Sequence, residues 1–63
     1  MIRQSQVGKI LTASRAVGHE LRHGDPASLS RAVAVMFAAQ RNASFEENRE
    51  AANLRTAELR RAG

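Results

Sequence analysis

Sixty-three residues with a formal net charge of +4 make one small basic domain at most. The chain has no Cys, so disulfides and thiol chemistry are excluded, and with no Trp or Tyr and only two Phe it offers little for stacking on unpaired bases. A chain this short buries only about 60% of its unfolded surface, and the remedy is close helix packing or self-association.

The first helix is expected over residues 5–23. Val7, Ile10, Leu11, Ser14, Val17, Gly18 and Leu21 recur at helical spacing and form one stripe. Ser14 and Gly18 lie four apart inside it and admit close approach of another helix. Lys9, Thr12, Arg15, His19, Arg22 and His23 take the opposite face. Gly24 stands where a left-handed cap residue ends a helix. The short link His23-Gly24-Asp25-Pro26 implies a helical hairpin.

The second helix is expected over 26–41, with Asp25 as its cap and Pro26 at its first position, or with Ser28 as the cap one turn later. Its interior, Ala32 to Ala39, is the longest apolar run in the chain. This predicts the central element, against which the others pack. Leu29, Ala32, Val33, Met36 and Phe37 share a face that ends at Gln40, and Ala34, Val35 and Ala38 fall outside it. A helix apolar around so much of its circumference is sandwiched or docked on another molecule. Covered by the third helix, or left as a docking surface, are the two expectations for Val35 and its neighbours.

The third helix is expected over 45–61. Ser44-Phe45-Glu46-Glu47 is a capping box. Glu46, Glu47 and Glu50 near its start and Arg60 and Arg61 near its end suit the helix dipole. Arg partners at helical spacing are expected for Glu47 and Glu58. Its apolar stripe is sparse: Phe45, Ala52 and Leu59, with Leu54 pointing elsewhere.

One run carries a chemical motif. His19-Glu20-Leu21-Arg22-His23 matches H-E-x-x-H, in which two His four apart reach one Zn²⁺ and the Glu serves as general base. Ala16-Val17-Gly18-His19-Glu20-Leu21 resembles the segment leading into that motif in zincins, over about eight residues. The resemblance implies a zinc hydrolase with His19 and His23 as ligands. A third ligand is required. Leu29 occupies the position of the third His of metzincins, and Pro26 that of their intervening Gly. Glu46, Glu47 or Glu50 would have to serve as in gluzincins. A charged His at a helix C-terminus is accounted for by the dipole alone, so no catalytic residue and no cofactor are assigned.

Two nucleic-acid readings remain. Lys9, Arg15, His19, Arg22 and His23 form a basic strip able to follow a phosphate backbone. Ser28-Leu29-Ser30-Arg31-Ala32-Val33 resembles the recognition helix of lac-repressor-type regulators, but His19, His23, Asp25 and Ser30 would then have to be buried around the turn.

These signals predict an all-α, three-helix single domain over 1–63: a hairpin plus a third amphipathic helix. The expected role is a non-catalytic interaction module, an adaptor, inhibitor or regulator that docks on a protein or on itself as a homodimer through Val35, Ala34, Ala38 and Leu54. A nucleic-acid-binding regulator is the alternative. No run reaches the ~20 apolar residues of a membrane span. The N-terminus lacks a signal peptide's apolar core, so a cytoplasmic location is expected.

Overall fold

The computed structural model describes residues 1–62, which form three helices: α1 (Gln4–His23), α2 (Pro26–Arg41) and α3 (Phe45–Ala62). The expected bounds differ from these by one residue at the start of α1 and one at the end of α3. The fold is all-α, as the periodicity implied.

The local signals act as read. Asp25 Oδ1 accepts from the Ser28 backbone N–H at 2.7 Å, and Pro26 follows at the first helical position. The capping box closes in both directions. The Glu47 N–H donates to Ser44 Oγ at 3.1 Å, and the Ser44 N–H donates to Glu47 Oε1 at 2.8 Å. Gly24 departs from expectation. It is extended (φ −92°, ψ 169°), and its N–H closes α1 by donating to the Glu20 carbonyl. A Cβ there would fall on the Glu20 carboxylate, the movable end of a flexible side chain, and 3.1 Å from the Glu20 Cα.

The larger correction concerns which helix is central. α1 packs against both α2 and α3, while α2 and α3 scarcely touch. The apolar core is Val7 (2% exposed), Ile10 (4%), Ala13 and Ala51. α2 contributes no buried residue. Its apolar run is long but half of it is Ala, and one side only meets α1. Leu29, Ala32, Val33 and Met36 are half-buried there, while Phe37, placed on the same face, stays 54% exposed. α1 instead has neighbours on two flanks. Gln6 and Ala13, outside the expected stripe, are buried, and the Gln6 side chain donates to the Ala39 carbonyl of α2 at 2.9 Å. On the other flank α3 lies close over Ser14 and Gly18, where a Cβ on Gly18 would stand 2.8 Å from Arg55 Nη2. Leu21, at the end of the stripe, lies beyond this cover and is 67% exposed.

α3 is held by polar contacts more than by its apolar stripe. Phe45 (79% exposed), Ala52 and Leu59 are all exposed. Glu47, 1% exposed, receives the Arg3 backbone N–H at 2.7 Å and the Arg3 guanidinium at 2.9 and 3.0 Å. Arg3 also donates to the Asn42 carbonyl at 2.8 Å. One carboxylate thus caps α3 and binds the start of α1. Its partner is Arg3, the residue that precedes α1, not the Arg at helical spacing that was expected. The Arg3 hydrogen bonds, with the Ser44 N–H, hold the Glu47 carboxyl well below the usual carboxylate range. The chain is a slab, with Cα extents of 37 × 27 × 14 Å.

Candidate interaction surface

Because α2 runs back along α1 and α3 covers another flank, an open groove is left between α1 and α2. It has two parts that meet at Val35. One, of about 600 Å³, lies among Gly8, Lys9, Thr12, Ala13, Val35 and Ala38. The other, of about 290 Å³, lies among Ala16, Glu20, Ser28, Arg31, Ala32 and Val35. Most of the lining side chains are small, with Lys9, Glu20 and Arg31 the long ones, so a partner's backbone can come close between them. Val35 stands 56% exposed between the two parts.

The four expected docking residues are not brought together. Val35 and Ala38 line this groove, Ala38 half-buried. Ala34 is exposed on α2. Leu54 belongs to α3, which lines neither part of the groove, and at 37% exposed it sits at the margin of the α3 packing. α3 does not cover Val35.

The basic strip is also divided. Arg15 is committed to α3: its Nε donates to Glu58 Oε1 at 3.0 Å and its Nη2 to Glu58 Oε2. Arg55, three residues earlier on α3, shares the same carboxylate at 3.2 Å, which is the expected helical-spacing partner of Glu58. The Arg15 hydrogen bonds, helped by Arg55, lower the Glu58 carboxyl to about 2, and the Arg15 guanidinium is raised in turn. Lys9, His19, Arg22 and His23 remain exposed, and among the described residues none of them forms an ion pair.

The two histidines of the zincin-like run lie together on the surface, ring centroids 5.2 Å apart. No group of three His, Cys, Asp or Glu able to share a metal ion forms among the described residues. Of the glutamates considered as a third ligand, Glu47 is occupied by Arg3 and Ser44, and Glu46 and Glu50 face a separate hollow with Ile2, Arg49 and Asn53. No described helix is long and apolar enough to cross a membrane.

Sequence reasoning missed Gly8, Ala13, Ala16 and Glu20 as groove residues. None of the four was placed on either face of the first helix, and Ala16 and Glu20 were read only as part of the zincin-like run, whereas the groove is a property of the helix pair. The i, i+4 rhythm of Gly8, Thr12 and Ala16 beside the apolar stripe was the available signal. Compared with known protein families, curated proteins and solved structures, the chain matches none.

Proposed function

We propose that this chain is a small, non-catalytic helical interaction module that docks on protein through the α1–α2 face. The observation that carries the reading is the state of α2. It is the most apolar helix, buries no residue, and leaves Val35 more than half exposed over an open groove with mostly small walls. Apolar grooves rimmed by polar residues are places where protein partners dock. Helix-lined grooves of this form accept helical segments through apolar anchors.

A nucleic-acid-binding role is the second reading. It draws on the net charge of +4 and on exposed Lys9, His19, Arg22 and His23. The engagement of Arg15 by Glu58 weakens it, because the middle of the strip is neutralised.

Quantitative cross-linking of the intact chain in its native cells, compared with a Val35→Glu variant, tests the first reading. The expected result is loss of the cross-linked species, whether self or another protein, in the variant. Unchanged cross-links in a folded Val35→Glu variant would overturn it. Salt-dependent retention on duplex DNA that is lost in an Arg22→Glu, Lys9→Glu variant would favour the second reading.

A further inference from the structure

The slab shape leaves an excess of surface. The chain exposes 4608 Å², whereas a compact monomer of its mass exposes about 4,000 Å². The difference is most of the ~800 Å² that one partner contributes to an interface of standard size.

The charges on the groove rim are arranged in a self-matching way. Lys9 borders one part of the groove and Glu20 the other, both on α1. They are separated by about three helical turns, so they lie on the same side of α1 roughly 16 Å apart. Neither forms an ion pair among the described residues. Val35 is level with the point midway between them, for it borders Ala13 in one part and Ala16 in the other.

We infer that the groove is closed by a second copy of this chain, stacked face to face about a twofold axis that crosses the groove at the level of Val35. The inference rests on the reading of this face as a docking surface and names its occupant. Such an axis lays α1 antiparallel on α1 of the second copy, and α2 on α2. Lys9 then comes over Glu20 of the second copy, and symmetry repeats the pair at the other end. Val35 meets its own counterpart at the axis, and Ala13 comes over Ala16, so the centre is apolar and free of bulky obstruction. Arg31 comes over Ala38 and Ala39 of the second copy, at the end that Lys9 of that copy also borders, and the Glu20 that shares Arg31's part of the groove comes there with it. The arrangement has the anatomy of a protein interface, with an apolar centre and a charged rim.

Sedimentation equilibrium of the full chain, with charge reversals, tests this. Wild type should show a monomer–dimer equilibrium that weakens with salt. Lys9→Glu opposes carboxylates at both ends, and Glu20→Lys opposes ammonium groups at both ends. Each should weaken dimerisation roughly tenfold, as reversal of two rim pairs implies. An equimolar mixture of the two variants should regain the wild-type affinity as a heterodimer. Repair within one chain cannot imitate this, since the two positions are about 16 Å apart on one rigid helix. Circular dichroism of each variant confirms that the helices persist. A monomeric wild type, a dimer indifferent to both reversals, or variants whose mixture does not recover would each overturn the inference. A monomeric wild type that still loses a heterologous cross-link on Val35→Glu would remove the second copy but leave the docking face. A wild-type dimer unaffected by Val35→Glu would place the self-contact on another face and overturn the inference, and unchanged cross-links in the same variant would remove the docking face as well.

Discussion

Ile10→Ala should be the most damaging simple truncation in the molecule, because α1 and not α2 carries the core. Ile10 is 4% exposed and packs with Val7 and Ala51. The substitution removes three carbons, which at about 0.8 kcal/mol per buried methylene is a loss near 2.4 kcal/mol. A hollow of about 230 Å³ already lies beside Ile10, lined also by Ser14, Gln40 and Asn48. The void left by truncation therefore opens onto existing space, and the cost stays near the lower end of the ~2–5 kcal/mol range for such changes. Phe37 is larger but 54% exposed, so Phe37→Ala should cost only about 1 kcal/mol from the area it loses. A domain of this length has a total stability of roughly 3–9 kcal/mol, so the Ile10 variant loses a large share of it. Urea and thermal melts followed by circular dichroism at low protein concentration read the difference. The expected fall in Tm for Ile10→Ala is about 10–20 °C. A Phe37→Ala variant that melts before Ile10→Ala would return the core to α2 and refute the packing argument.

Three further outcomes follow from particular contacts. Glu47 and Glu58 are both held below their unfolded values by arginine hydrogen bonds. Their contribution is complete above about pH 4.5 and is lost as pH falls through the folded values, so helical signal should decline between there and about pH 2. The stability of a Glu58→Gln variant should be less sensitive to pH over that window than that of the wild type, and an unchanged acid titration would show that the Arg15 pair contributes nothing. Ser44→Ala removes the hydroxyl that receives the Glu47 N–H and should destabilise by about 1 kcal/mol in urea melts. Stoichiometric Zn²⁺ should leave the Tm unchanged, since His19 and His23 gain no third donor among the described residues. A zinc-dependent rise abolished by His19→Ala would revive the metal reading.

The helices and their ends were legible in the sequence because the forces that set them are local. Asp25 reaches the Ser28 N–H, and Ser44 and Glu47 reach each other, across three residues. Such contacts form in any environment that admits a helix, and the spacing of apolar residues adds only which side faces inward. Glu47 was legible as a cap but not as the anchor of α1, since its partner Arg3 lies 44 residues away. The same distance problem hid Arg15 and Glu58, 43 residues apart, and so a basic strip was read where a cross-helix ion pair stands. The rank of the helices was not legible at all. Apolar content favoured α2, but burial is decided by how many neighbours a helix has, and only packing placed α1 between two others. The groove followed from that placement. Val35 and Ala38 were recognisable as an uncovered face, but Lys9 and Glu20 became its rim only when α2 folded back beside α1. Local chemistry therefore determined the elements, while the choice of centre, the cross-helix ion pairs and the open face were decided by tertiary contacts between residues far apart in the chain.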